Sequence, residues 1–189
     1  MNVQSQTAVA SGSQLVLRRA GAVVLGAALV AAAAQVTGVI PGTPVPFTLQ
    51  PLAVLIVGGL LGPSLGTSSL VLYLALGAAG VPVFTPIGLP GAARLIGPTG
   101  GYLLAYPVAA YAVGRLVGDG TRARAMALAA LAGLALIHLG GLAQLLILTG
   151  SVTQAARLGT LPFIAGDLAK VALAILVLRS TVSATRARL

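Results

Sequence analysis

The sequence predicts an all-α, polytopic membrane protein of six transmembrane helices with both termini cytoplasmic. Three observations carry that expectation. Of 189 residues, 58% are hydrophobic and 7% charged, with mean hydropathy +1.05, whereas charged residues make up roughly a quarter of a soluble domain. Apolar runs recur along the chain, each near the length of about 20 residues that a crossing needs or broken by Gly and Pro. The arginines flank these runs: with the N-terminus inside and six spans, Arg18, Arg19, Arg115, Arg122, Arg124, Arg179, Arg186 and Arg188 fall on the cytoplasmic side and only Arg94 and Arg157 outside. Cytoplasmic loops carry such an excess of basic residues. The length suits one membrane domain over residues 18–180, between a disordered cytoplasmic tail at 1–17 and a short cytoplasmic tail at 181–189.

The first span is expected at residues 20–36, behind Arg18 and Arg19. A secretory signal peptide competes, because AAAAQ resembles a small-residue cleavage site after a basic segment, but the further spans favour a retained helix. Ala27 and Ala31, or Ala28 and Ala32, form small-xxx-small ridges that let another helix approach closely, within the bundle or from a partner protein. Residues 37–50, TGVIPGTPVPFTLQ, hold three prolines and two glycines and read as an extracytoplasmic loop. It ends on Thr48 and Gln50, polar groups at a helix mouth that suit either ligand contacts or caps.

Residues 51–61 and 67–79 are two apolar segments split by Gly62-Pro63, each shorter than a full crossing. Such interrupted segments line binding sites in transporters. One long kinked helix is the alternative, and two helices give the better charge topology. Tyr73 lies here, either facing a ligand or packing with an interhelical hydrogen bond. Residues 80–98 form a second Pro/Gly-rich loop carrying Arg94, whose planar fork suits a carboxylate but which is equally a solvated loop arginine. The fourth span, 99–117, ends with Gly114 and Gly118, a weak packing signal. The basic loop 119–124 is cytoplasmic. The fifth span, 125–148, contains His138 and Gln144, and a lone His there more often makes an interhelical hydrogen bond than binds anything. Residues 149–158 read as a short outer loop with Arg157.

The last span holds the least expected chemistry. Asp167 and Lys170 stand three residues apart, on one helix face, inside GTLPFIAGDLAKVALAILVL. Each charge at a helix centre costs about 2.5–3.5 kcal/mol on insertion scales, so such residues face a cavity, pair, and mark a site. Thr160 as N-cap and Pro162 in the first turn set the helix start near Leu161, with Asp167 roughly 9–10 Å along it. The plainer reading is a self-neutralising pair that pins helix packing.

Composition also excludes. A net charge of +9 and a pI near 11.7 would suggest nucleic acid in a soluble protein, but here the positive-inside pattern accounts for the arginines. Without cysteine there are no disulfides and no thiolate sites. One His and two acidic residues give little for a metal, so no cofactor is expected. Nothing reads GxxxxGK[ST], so any ATP hydrolysis belongs to another chain.

PVPFTLQ (44–50), GPTGGYLLAYP (97–107) and LPFIAGDLAK (161–170), in that order on small-residue-rich spans, resemble the BioY family, the biotin-specific substrate-binding subunits of energy-coupling-factor vitamin transporters. The resemblance runs over residues 22–178, and GPTGGY together with PFxxGDxxK makes it specific. It implies a plasma-membrane subunit for high-affinity biotin uptake, coupled to a transmembrane scaffold protein and two cytoplasmic ATPases. It further implies a substrate site of Asp167, Lys170, Arg94, Gly97 and Tyr102, with Thr48 and Gln50 as contacts and docking through Ala27, Ala28, Ala31 and Ala32. The stretch TPIGLPG (85–91) departs from the more glycine-rich pattern of relatives.

Biotin's ureido group suits one carboxylate and one ammonium, and its ring and chain need an apolar wall for which Phe47, Tyr73, Phe84, Tyr102 and Phe163 are available. Arg94 is the candidate for the valerate carboxylate. A subunit for another vitamin is the nearest alternative. A small intramembrane enzyme using Asp167 as base lacks a second catalytic partner, and a channel suits a near-neutral paired site less well than capture does.

Overall fold

The structure, a computed structural model, describes the backbone of residues 3–120 and 122–189 and the side chains from residue 12 on; Met1, Asn2 and Thr121, the last in the basic loop, lie outside it. Among the described residues, seven helices follow in chain order: α1 (Val3–Gln35), α2 (Gln50–Ala78), α3 (Ala93–Ile96), α4 (Gly100–Leu116), α5 (Ala123–Thr149), α6 (Val152–Gly159) and α7 (Ile164–Arg186). Among the described residues, four helices are long and apolar enough to cross a membrane: Gly12–Gln35 of α1, α2, α5 and α7. At 17 residues, α4 stands at the lower end of the about 17–25 that crossing helices use. Helix α1 includes Arg18 and the residues ahead of it from Gly12; the rest of the tail expected at 1–17 lies outside the residues described with their side chains.

Helix α2 is a folded-back pair of arms. Gly62 has φ 78° and ψ −179°, a conformation that essentially only glycine adopts. Pro63 follows it and has no N–H to offer the carbonyl four residues earlier. Residues 50–61 and 63–78 then return alongside each other. A Cβ on Gly66 would lie 3.0 Å from the Cα of Gly58, and Gln50 Nε2 donates to Tyr73 Oη at 2.6 Å across 23 positions. A straight helix would hold those residues roughly 35 Å apart. Two segments broken at Gly62-Pro63 are therefore what the chain forms.

The carbonyl left without a donor by Pro63 is that of Gly59, and Arg186 satisfies it. Its Nε and Nη2 donate to Gly59 O at 3.2 and 2.7 Å, Nη2 also reaches Gly114 O at 3.1 Å, and Nη1 donates to Gly118 O. One side chain thus joins the end of α7 to the bend of α2 and the end of α4. Helix α4 crosses the bend so closely that a Cβ on Gly114 would meet the backbone of Gly62 and Pro63 at 2.5 Å.

Two apolar clusters fill the bundle. One, with Leu55, Val113, Met126, Leu178 and Val182, lies toward the arginine-rich end. The other, with Val54, Tyr73, Phe84, Tyr102, Tyr106 and Ile137, lies beneath the Pro/Gly-rich loops. Leu25, Leu104, Leu128, Ile147 and Leu176 point outward, an apolar exterior suited to lipid.

Three local features differ from expectation. A two-residue ladder, β1 (Thr37–Gly38) with β2 (Phe47–Thr48), closes the first loop with Thr37 opposite Thr48. The expected outer loop at 149–158 contains helix α6, capped by the Ser151 side chain accepting from Gln154 N. Thr160 is the C-cap of α6 rather than the N-cap of the last helix. Helix α7 starts at Ile164 after a turn through Pro162 and Phe163.

Candidate functional site

That later start changes the setting of Asp167. It occupies the first turn of α7, roughly 4.5 Å along the axis. Unpaired backbone N–H groups and the positive end of the helix dipole favour a carboxylate there. Its Oδ1 accepts from Lys170 Nζ at 2.7 Å, and its Oδ2 lies 2.9 Å from His138 Nε2 on α5. Both members of the pair are buried. Lys170 Nζ also sits 3.8 Å from the centre of the Phe47 ring, where the ring face attracts the ammonium. Phe47 is placed over it by the β1–β2 ladder. The bundle therefore does carry the two charges inside, paired and capped.

Around them is a cavity lined by Thr48, Gln50, Phe84, Thr85, Arg94, Thr99, Tyr102, Leu103, Tyr106, Ile137, His138, Phe163, Asp167 and Lys170, with Val45, Pro46 and Pro51. Its walls come from both Pro/Gly-rich loops and the turn before α7, and cross-loop bonds hold them together. Gln35 Nε2 donates to Phe84 O at 3.2 Å, and Thr43 Oγ1 donates to Leu158 O at 2.5 Å.

Of the residues expected at a site, Asp167, Lys170, Arg94, Gln50, Thr48, Phe84, Tyr102 and Phe163 converge on this cavity. Tyr73 and Gly97 do not reach its wall. Tyr73 stands fully buried behind Gln50, giving an edge to the Phe84 ring at a centroid distance of 5.4 Å, while Gly97 caps α3. Gln50 is held from both sides, accepting from Thr48 Oγ1 at 3.2 Å and donating to Tyr73. Tyr102 Oη donates to Gly159 O at 2.6 Å, fixing the ring at the edge of the cavity.

Arg94 is not a solvated loop arginine. It is 4% exposed, and burial lowers its pKa from the ordinary arginine value, though arginine remains charged in proteins. Its Nε, Nη1 and Nη2 donate to Leu89 O, Ile87 O and Thr85 O at 2.6, 2.6 and 2.7 Å. The loop 85–91 is thus wrapped around one guanidinium. Three of five N–H groups are engaged, and two are left.

Sequence reasoning missed Thr85, Thr99, Tyr106 and His138 as parts of the wall. Thr99, Tyr102 and Tyr106 are three and four residues apart, so their common face was legible in the spacing. Thr85 Oγ1 is buried without a hydrogen-bond partner, which only the folded loop reveals. Among the described residues, no three His, Asp or Glu gather as a metal-binding group.

The docking alanines divide. Ala27 is buried in the upper core and Ala31 packs against it, whereas Ala28 and Ala32 face outward.

The BioY family model matches residues 4–187. A probable biotin transporter BioY of Pyrococcus horikoshii is 41% identical over 71% of this chain and 78% of its own. The biotin transporter BioY of Thermotoga maritima is 38% identical over 73% and 81%. Among solved structures, the S-component for biotin from an ECF-type ABC transporter superposes with a TM-score of 0.79 at 26% identity, covering 95% of this chain and 93% of that one. With a family match along nearly its whole length and a shared fold, this chain belongs to the BioY family.

Proposed function

We propose that this chain captures biotin at the outer face of the cell membrane and is the substrate-binding subunit of an energy-coupling-factor transporter. The observation that carries the reading is the Asp167–Lys170 pair, buried and facing a cavity whose lining also includes Arg94, Tyr102, Phe84 and Phe163. Relatives named as biotin transporters add to it.

The chemistry is complementary. A ureido ring presents two N–H donors and one carbonyl oxygen; Asp167 has lone pairs left for an N–H, and Lys170 Nζ has protons left for the oxygen. Each charge-assisted hydrogen bond contributes about 1.5–3 kcal/mol net. Phe84, Phe163, Leu103, Ile137 and Tyr106 supply the apolar wall for the ring and chain. The two free N–H groups of Arg94 and the unpartnered Thr85 hydroxyl suit the carboxylate at the other end of the ligand.

In this reading the two arms of α2 count as separate spans, which with α1, α4, α5 and α7 makes six, both termini cytoplasmic. One membrane domain over residues 18–180 results. The loops and cavity then face outward, and the arginine-rich end faces inward, as the charge bias favours. The partners are a transmembrane scaffold subunit and two ATPases, with Ala28 and Ala32 of α1 as the outward docking face. Asp167→Asn should weaken biotin binding at least tenfold, measured by equilibrium binding on protein that inserts and purifies as the wild type does. Unchanged affinity would make the pair structural.

A further inference from the structure

We infer that His138 is a positioning residue for ligand recognition, holding the Asp167 carboxylate in the orientation that receives a ligand N–H. The inference rests on the biotin reading above. A carboxylate only accepts hydrogen bonds, so in the 2.9 Å contact with Asp167 Oδ2 the proton belongs to His138 Nε2. The terminal torsion of an aspartate is broad and roughly two-fold, and Lys170 alone, one turn along the same helix, holds only Oδ1. A second donor on a different helix removes that freedom, because α5 fixes Oδ2 while α7 fixes Oδ1. The remaining lone pairs of the carboxylate are then set in one direction.

The surroundings of His138 fit this task better than ligation of its own. Its other nitrogen, Nδ1, is buried with no partner, so the ring contributes one directed donor. The ring meets Tyr102 edge-on at 6.2 Å between centroids, and Tyr102 is anchored in turn to Gly159 O. The carboxylate, the imidazole and the phenol form a supported series, in which each group limits the rotation of the next. Binding gains when such groups are set before the ligand arrives.

Three substitutions separate positioning from packing. His138→Leu removes the donor at similar volume, His138→Gln places an amide N–H near the Nε2 position, and His138→Asn is too short to reach. Titration with biotin should give a dissociation constant at least tenfold higher for His138→Leu and His138→Asn, and within about threefold of the wild type for His138→Gln. In an Asp167→Asn background, His138→Leu should cause no further loss, because the carboxylate that it orients is gone. Losses that add across the two sites, or equal affinity in Leu, Asn and Gln variants, would overturn the inference and leave His138 a packing residue. If His138→Leu does not fold, the Gln and Asn pair decides alone. A wild type that binds no biotin overturns the biotin reading and this inference together, whereas normal binding by His138→Leu overturns this inference only.

Discussion

Asp167, Lys170 and Arg94 place three charges in the interior of a chain with 7% charged residues, and each is held differently. The acid lies in a helix's first turn between two donors, the ammonium lies over an aromatic face, and the guanidinium is wrapped by loop carbonyls. Removing one partner of a buried set leaves the others uncompensated, which typically costs more than the contact itself is worth. Arg94→Ala should therefore loosen the 85–91 loop and also lower affinity for biotin more than for biotin amide, in parallel titrations. Equal losses for the two ligands would confine Arg94 to organising the loop. At this scale the sequence was legible where chemistry is local: three-residue spacing put Asp167 and Lys170 on one face without any fold. His138 lies 29 positions from Asp167, so its pairing exists only once α5 and α7 pack. The burial of Arg94 was equally out of reach, because it depends on a loop folding back on a side chain.

Helix α2 shows what a break of two residues does to an element. Gly62 turns the chain through a conformation closed to other residues, Pro63 strips Gly59 O of its donor, and Arg186 from the far end of the chain supplies the replacement. Arg186→Met keeps much of the aliphatic stem but abandons carbonyls at Gly59, Gly114 and Gly118. It should lower stability by about 2–3 kcal/mol, read as a fall in the unfolding midpoint of purified protein, with biotin affinity little changed because the cavity lies at the other end. An unchanged midpoint would mean that water or lipid replaces the arginine at no cost. The Gly-Pro break was readable from composition, but the arginine that completes it was not, since a C-terminal arginine also satisfies the charge bias. Helix α6 was missed for a related reason: eight residues with Arg157 and Gln154 on one side carry too little apolar content to be told from a loop.

As a whole the molecule has two unlike ends. One gathers the Pro/Gly-rich loops, the cavity and the interior charges; the other gathers the arginines, the α2 bend and the Arg186 contacts. On α1 the small-residue ridge likewise has two faces, and the burial of each side chain separates them. Ala28→Leu should weaken association with the proposed scaffold subunit, measured by co-purification of the complex, while biotin binding by the isolated chain stays within about twofold of the wild type. Ala27→Leu presses into the core and should instead reduce stability by about 1–3 kcal/mol. If both variants assembled normally, docking through this ridge would be ruled out. Composition and charge sufficed for the class of molecule, because membrane insertion is a constraint on every segment. Which alanines face outward depends on how α1 rotates against α2, and no pattern of small residues encodes that by itself.

We propose that biotin enters the cavity around Asp167 and Lys170. Calorimetric titration of the detergent-solubilised protein with biotin, and with thiamine and riboflavin as controls, tests it most directly. Saturable binding of biotin in the nanomolar range with no heat from either control is the predicted result. A folded sample that ignores biotin, or that binds thiamine or riboflavin as tightly, would contradict it.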